Sequence, residues 1–209
     1  MNIRSLELME EPLIGVGIDL GTTATVLSYT INGEFSQDLY RIPSAVAVDP
    51  NNNLVVGESA LTMIENNPCS GIVNSKRLIG RPFKDPVVEI ECEKGKLGKG
   101  PQIIMGDEIP GSKEKHHYFK YLIKNERRGR RVLQDNPSNQ GPKQIYISPI
   151  EVAAEILKAV VRLIGTKSII EQIISDIKKN ENERRVSIVI TIPAYFSLPQ
   201  VEATDQAAE

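Results

Sequence analysis

The chain has 209 residues, of which 40% are apolar and 25% charged, and its formal net charge is −2 at pH 7. This composition is typical of a globular domain long enough to bury a core, and the near-zero net charge argues against a general nucleic-acid or membrane-surface binder. The two cysteines form no Cys-x-x-Cys pair, and no signal peptide or membrane span is visible, so we expect a cytoplasmic protein without disulfide or zinc chemistry.

The first third of the chain predicts a sheet of short strands. Residues 13–20 alternate large apolar residues with glycine, and residues 24–31 are β-branched and apolar. Asn32 and Gly33 follow directly, and Asn-Gly between two such runs favours a tight hairpin. Three further strands and one helix are predicted, at 34–39, 41–48 and 54–56 and at 58–66.

The middle of the chain, residues 84–144, is rich in Gly, Pro, Lys and Arg and has only short apolar runs. We expect a loosely organised β-rich subdomain with a mobile loop at 134–142. Regular structure is predicted again at Ser148, which forms a capping box with Glu151 and begins an amphipathic helix. Gly165 is expected to end that helix.

The last part of the chain predicts one more strand between two helical segments. Residues 169–177 carry an apolar stripe at helical spacing. Residues 186–192 form a continuous apolar run, which is typical of a strand buried on both faces. Ser197 and Gln200 then form a second capping box, and the helix that it opens has no stop signal before Glu209, so we expect a truncated chain.

The segment richest in chemistry is the turn at 19–23, Asp-Leu-Gly-Thr-Thr. Gly21 allows a tight turn close to a ligand, and successive amide N–H groups with the hydroxyls of Thr22 and Thr23 can hold phosphate oxygens. Asp19 can hold a hydrated Mg²⁺ that bridges to those phosphates. The alternative is a plain hairpin turn with a solvated aspartate, and this short motif alone does not decide between the two.

Two more segments favour the phosphate site. Lys76, in the 74–81 segment Asn-Ser-Lys-Arg-Leu-Ile-Gly-Arg, can stabilise charge on a transferred phosphoryl group. The 189–196 segment, Val-Ile-Thr-Ile-Pro-Ala-Tyr-Phe, follows the carboxyl end of a predicted buried strand, where ligands bind in such sheets. The alternatives are a solvated basic turn and simple core packing of Tyr195 and Phe196.

These segments together resemble the Hsp70 family of chaperones over about residues 13–209. The resemblance implies an α/β, actin-like ATPase (ribonuclease-H-like) fold, of which this chain would be the first lobe only, with an inserted β-rich plus helical subdomain. The implied division is an N-terminal extension at 1–12, a phosphate-binding core segment at 13–57, an inserted subdomain at 58–185 with a variable part at 84–147, and a return to the core at 186–209.

The resemblance also implies the cofactors ATP or ADP and Mg²⁺, and client polypeptides and co-chaperones as partners in a stress response. The implied roles are metal binding by Asp19, binding of the β- and γ-phosphates by Gly21, Thr22 and Thr23, catalysis by Lys76, and coupling of nucleotide state to the substrate domain by Pro193. Four residues depart from the family pattern and predict a divergent member: Ala24, Asn74, Leu198 and Val201. The family's second phosphate loop and adenosine pocket would follow Glu209, so we expect weak ATP binding and no hydrolysis by this chain.

Two other enzyme classes use related folds. Sugar kinases open with a similar Asp-x-Gly-Thr-Thr turn, but they lack segments such as those at 74–81 and 189–196. Nucleases of the ribonuclease H type need several carboxylates that converge on two metals, and only Asp19 can be assigned to such a site. The sugar-kinase class is therefore kept as a less favoured alternative, and the nuclease class is less favoured still.

A nucleic-acid-binding module is a further alternative, since residues 113–131 interleave eight basic residues with aromatic ones. A solvated β-hairpin is favoured instead, with Tyr118, Phe119 or Leu122 packed inward, because runs of charge usually mark solvated faces. The adjacent His116 and His117 would point to opposite faces of a strand, which argues against a shared metal.

Overall fold

The computed structural model describes residues 14–31, 33–35, 39–105, 119–124, 144–164 and 186–209. These residues form three β-sheets and four α-helices. The strands are β1 (Ile14–Asp19), β2 (Ala24–Ile31), β3 (Glu34–Phe35), β4 (Tyr40–Pro43), β5 (Ala45–Val48), β6 (Leu54–Val56), β7 (Gly71–Val73), β8 (Gln102–Met105), β9 (Phe119–Lys124), β10 (Gln144–Ile147) and β11 (Val186–Thr191). The helices are α1 (Glu58–Asn66), α2 (Pro86–Lys96), α3 (Pro149–Ile164) and α4 (Leu198–Ala208).

The central sheet has the order β11–β1–β2, and β3 and β4 pair with opposite ends of β2. β1 and β2 form the antiparallel hairpin around the 19–23 turn, and β11 lies parallel to β1. The predicted strands at 13–20 and 24–31 are confirmed, and β2 pairs with β3 as the Asn-Gly signal indicated. Part of the predicted returning strand, residues 36–38, lies outside the described residues.

The prediction of a single strand at 41–48 is wrong, because this segment contributes to two sheets. β4 pairs with β2 in the central sheet, whereas β5 pairs with β6 and β7 in the second sheet. Ser44 lies between them and is buried. Its backbone N–H donates to the Thr23 carbonyl at 2.9 Å, so the chain changes sheets where it meets the 19–23 turn.

The third sheet has the antiparallel order β10–β9–β8, and α2 precedes it. We predicted a β-rich middle region, and the helix at 86–96 corrects that prediction. Asp85 caps α2 by accepting from the Val87 N–H at 2.8 Å, and Lys94 pairs with Glu91 at 2.6 Å on its surface. The loop predicted at 134–142 lies outside the described residues.

Helix α3 supplies much of the core. Its predicted capping box is confirmed, since the Ser148 N–H donates to the Glu151 carboxylate at 2.6 Å and the Glu151 N–H donates to Ser148 Oγ at 3.1 Å. The helix packs against the first two sheets and α4 through one buried face, made of Val152, Ala153, Ile156, Leu157 and Val160. Burying each of the larger side chains contributes about 1.5–3 kcal/mol. The predicted stripe at 169–177 lies outside the described residues.

The predicted strand at 186–192 is confirmed as β11, which pairs in parallel with β1, but the predicted burial of both faces is wrong. Ile188 is 50% exposed and Val189 is 61% exposed. Within the described ranges, β11 pairs only with β1 and forms an edge of the central sheet. The continuous apolar run therefore predicted a strand correctly, but it did not predict how much of that strand is exposed to solvent.

Candidate functional site

The turn at 19–23 is tight and requires glycine. The Gly21 N–H donates to the Asp19 carbonyl at 2.9 Å. A Cβ at Gly21 would lie 2.1 Å from the Ala24 carbonyl oxygen, which is far inside van der Waals contact. Thr22 is half-buried and Thr23 is exposed, so this turn presents two threonines in succession at the end of the central hairpin.

Hydrogen bonds from two buried hydroxyl groups hold this turn in place. Ser44 Oγ donates to the Gly21 carbonyl at 2.8 Å and lies 2.9 Å from Thr25 Oγ1. Because the Ser44 proton is directed at Gly21, the Thr25 hydroxyl acts as the donor to Ser44. Both hydroxyl residues are buried, at 4% and 0% exposure, so these bonds are shielded from water. Sequence analysis did not single out Thr25, whose role depends on contact with Ser44.

We expect Ser44→Ala to lower the free energy of unfolding by about 1–3 kcal/mol, because it removes a partner from the buried Thr25 hydroxyl and the Gly21 carbonyl. Urea denaturation followed by circular dichroism measures this change. Ser59→Ala, at an exposed position of α1, is the matched control and should stay within about 0.5 kcal/mol of the unmodified chain. Equal stability of the two variants would contradict the role assigned to Ser44.

Asp19 is the last residue of β1 and has an exposed side chain. Its partner across the parallel pair is Thr191, the last residue of β11. Thr191 Oγ1 donates to Asp19 Oδ1 at 2.9 Å. The carboxyl ends of β1 and β11 therefore meet at one edge of the sheet, as expected for a ligand site in a sheet of this type.

Lys76 lies in the short 3₁₀ turn Ser75–Arg77, which follows Asn74 in a left-handed conformation with φ of 60°. Its side chain is half-buried, and Nζ lies 5.7 Å from the centroid of the Phe196 ring, within the range of a cation–π contact. Burial lowers the pKa of Lys76, and the negative charge of Asp19 partly opposes that effect. Lys76 is therefore neither a freely solvated lysine nor remote from Asp19.

The junction between β11 and α4 completes the arrangement. Pro193 is half-buried and starts a turn in which the Phe196 N–H donates to the Pro193 carbonyl at 3.0 Å. Gly80 has a φ of 66°, and a Cβ there would lie 2.4 Å from the Pro199 carbonyl oxygen and 2.7 Å from the Gln200 nitrogen. The 74–81 segment thus packs directly on the start of α4, and all three segments singled out from the sequence meet at one place.

Comparisons with known proteins identify the family of this chain. A family model described as Hsp70 protein matches residues 15–97, which include both the 19–23 turn and the 74–81 segment. A heat shock protein homolog of Encephalitozoon cuniculi is 32% identical over 207 residues, covering 92% of this chain and 26% of the relative. The chain belongs to the Hsp70 family.

Other relatives carry the same family description in their names. A heat shock 70 kDa protein of Neurospora crassa is 30% identical, over 92% of this chain and 24% of its own length. A chaperone protein DnaK of Carsonella ruddii is 28% identical, over 93% of this chain and 26% of its own length. The chain spans about a quarter of the length of these relatives, and at such identities it is a divergent Hsp70-family member. Its mixed α/β architecture is consistent with the actin-like ATPase fold.

The described residues of this Hsp70-family chain fit one kind of magnesium site and not another. They contain no group of three or more His, Cys, Asp or Glu side chains able to cage a metal ion. A two-metal nuclease site is therefore not formed by them. Magnesium held mainly by phosphates and water needs only one or two carboxylates, and the exposed carboxylate of Asp19 at the turn meets that requirement. The adjacent His116 and His117 lie outside the described residues.

The nucleic-acid alternative loses its aromatic platform in the part of 113–131 that the structure describes. Residues 119–124 form β9, the middle strand of the third sheet. Phe119 and Leu122 are buried, as predicted for the hairpin interpretation, and Tyr121 is buried beside them. Buried rings cannot stack on bases.

None of the helices in the described ranges is long and apolar enough to cross a membrane.

Proposed function

We propose that the chain is the ATP-binding first lobe of an Hsp70-type chaperone, built on an actin-like ATPase fold. One observation carries this proposal: the 19–23 turn, Lys76 and the β11–α4 junction converge at the carboxyl edge of the central sheet. The names of the relatives support a chaperone role for the whole protein. The sugar-kinase alternative has no comparable support.

The phosphates would lie against the turn. The Gly21 N–H already donates to the Asp19 carbonyl, so phosphate oxygens would accept hydrogen bonds from the amides and hydroxyls of Thr22 and Thr23. Gly21 itself allows the backbone to turn tightly. The Asp19 carboxylate would hold water molecules of a magnesium ion, which would offset phosphate charge when bound. Asp19 itself stays oriented by the Thr191 hydroxyl.

Lys76 is proposed as the catalytic lysine of the complete enzyme. A half-buried ammonium group interacts with a terminal phosphate more strongly than a fully solvated one, because the local dielectric constant is lower. It would stabilise negative charge that develops on the transferred phosphoryl group and orient the attacking water. Pro193, at the start of the turn that carries Phe196 towards Lys76, is proposed to couple nucleotide state to a substrate domain.

The remaining assignments concern the whole protein. We propose the core segment 13–57, the inserted subdomain 58–185 and the core segment 186–209 as the subdomains of this lobe. Client polypeptides, co-chaperones, a stress response and a cytoplasmic location follow from the family and are proposed on that basis. Because the chain spans a quarter of its relatives, we propose that it binds ATP weakly by itself and does not hydrolyse it.

We expect Lys76→Met to reduce affinity for ATP more than affinity for ADP, because the lysine would face the terminal phosphate. The variant should melt at the same or a higher temperature than the unmodified chain, since it no longer buries a charge. Burial lowers the pKa of Lys76 from 10.5, so that stability gain should shrink as the pH rises from the lowered value towards 10.5. Titration calorimetry with MgATP and MgADP, and thermal melts at several pH values, measure these effects.

Lys84→Met, at an exposed lysine near the same segment, is the control and should change neither affinity nor melting. Equal ATP affinity of Lys76→Met and the unmodified chain would overturn the role of the lysine. Magnesium-dependent ATP hydrolysis by the purified chain, abolished by Lys76→Ala, would overturn the proposal that this lobe does not turn over ATP alone.

A further inference from the structure

Two side chains of the β11–α4 junction contact the two side chains that the proposed function places at the reacting phosphates. Thr191 reaches Asp19 at 2.9 Å, and Phe196 reaches Lys76 with its ring centroid 5.7 Å from Nζ. They lie on either side of Pro193. One short connection therefore meets both the proposed metal-binding group and the proposed catalytic group.

We propose that Thr191 and Phe196 are positioning residues, which hold the Asp19 carboxylate and the Lys76 ammonium group in place for a magnesium-bound triphosphate. This inference rests on the proposed function of Asp19 and Lys76. It adds two residues that act through those side chains and do not themselves touch nucleotide.

The contact made by Thr191 restrains an otherwise exposed carboxylate. The strand register places Thr191 directly beside Asp19, so a short side chain is enough to span the gap. A hydroxyl that donates to an ionised carboxylate forms a stronger hydrogen bond than one between neutral groups. With Oδ1 hydrogen-bonded to Thr191, the position of the Asp19 carboxyl group beside β11 is defined before any ligand arrives.

The contact made by Phe196 restrains a long and flexible side chain. The Phe196 ring is half-buried and packs against the hydrophobic core, and it also makes an edge-to-face contact with Tyr195, with centroids 5.9 Å apart and planes at 75°. The backbone bond from the Phe196 N–H to Pro193 fixes where the ring begins. A ring fixed in this way limits the rotamers that Lys76 can adopt and keeps its ammonium group near Asp19.

The junction is also fixed at its far end. The Ser197 N–H donates to Gln200 Oε1 at 3.2 Å, and Pro199 and Gln200 pack against Gly80 of the lysine-bearing segment. The chain is therefore held before the junction by the pairing of β11 with β1, and after it by the contact of the start of α4 with Gly80. As a result, the Asp19 and Lys76 side chains are both contacted by residues of the same β11–α4 junction.

Residue-specific labelling of the 209-residue chain without nucleotide tests both contacts. A carbodiimide with glycine ethyl ester labels carboxylates, an acetyl ester of N-hydroxysuccinimide labels amines, and peptide mass spectrometry gives the rate at each site. Thr191→Val, which keeps the shape but lacks the hydroxyl, should raise Asp19 labelling about five-fold and leave Lys76 unchanged. Phe196→Leu should raise Lys76 labelling about three-fold and leave Asp19 unchanged.

Conservative variants separate positioning from loss of packing. Thr191→Ser keeps the hydroxyl and Phe196→Tyr keeps the ring face, so both should label at the rates of the unmodified chain. Exposed Glu58 and Lys84 serve as internal references. The inference is overturned if each conservative variant behaves like its disruptive counterpart, or if either disruptive variant raises labelling at both sites equally.

Nucleotide binding gives a second, separate readout. Thr191→Val should reduce the enhancement of ATP affinity by magnesium, and Phe196→Leu should reduce the preference for ATP over ADP. The unmodified chain failing to bind any nucleotide would overturn the proposed function, while the labelling rates would still test the two contacts. If Thr191→Val binds ATP with the same magnesium dependence as the unmodified chain and its Asp19 is labelled at the same rate, the positioning role is overturned. The proposed function would still stand.

Discussion

Replacing Gly80 with alanine should lower the free energy of unfolding by about 3 kcal/mol and loosen α4 from the segment that carries Lys76. Gly80 has a φ of 66°, a conformation that costs other residues about 1–2 kcal/mol. The added Cβ would also lie 2.4 Å from the Pro199 carbonyl oxygen and 2.5 Å from the Gln200 Cα, both backbone atoms that cannot rotate away. The start of α4 and the 74–81 segment therefore cannot both keep their positions in this variant.

Chemical denaturation measures this loss, and Gly98→Ala is a close control. Gly98 has a φ of 67°, but a Cβ there would meet nothing within 4 Å. The control should therefore show only the backbone cost, about 1 kcal/mol. The difference in unfolding free energy between the two variants measures the packing of α4 on the 74–81 segment. Equal losses would show that the loop and the helix are not in tight contact.

Replacing Gly21 with alanine should abolish measurable ATP binding, with a loss of ten-fold or more expected from moving the turn by about 1 Å. The new Cβ would lie 2.1 Å from the Ala24 carbonyl oxygen, so the turn must open. Opening it displaces the neighbouring Thr22 and Thr23 and breaks the Ser44 bond to the Gly21 carbonyl. We also expect a loss of about 2 kcal/mol in unfolding free energy.

Calorimetry with MgATP and denaturation of the same preparations separate these two effects. Gly100→Ala is the control, since a Cβ at Gly100 meets nothing within 4 Å and the residue lies far from the turn in sequence. It should bind ATP as the unmodified chain does. If Gly21→Ala stays folded and binds ATP within two-fold of that control, the 19–23 turn is not the phosphate-binding element.

Local signals explain what was predictable in the fold. The hairpin β1–β2, helix α1 and the capping box of α3 depend on residues close together in the sequence, and they are found where the patterns placed them. Helix α2 was hidden by its few apolar residues, although Asp85 and the Glu–Lys pairs stabilise it locally. The break at Ser44 depends on bonds to Gly21 and Thr23, which are remote in sequence. No local pattern could place it.

The candidate site divides in the same way. Glycine and threonine in the turn, and a lysine in a distinctive segment, have chemistry that a sequence displays directly. Thr191 and Phe196 are an ordinary strand residue and an ordinary aromatic residue, and simple core packing was a sound interpretation of Phe196. Their importance comes only from parallel pairing across the sheet and from the turn that brings the ring to Lys76.

The parallel pairing of β1 with β11 also governs when the site can form during synthesis. Asp19 and Thr191 are separated by 172 positions, whereas the hairpin around the turn needs only its immediate neighbours. A ribosome adds ~5–20 residues per second, so about 10 to 35 s would pass between the two residues leaving the peptidyl-transferase centre. Throughout that interval one edge of β1 lacks its final partner strand, which makes the nascent hairpin itself a segment prone to mispairing. The nascent hairpin would therefore need protection at that edge until β11 has been synthesised.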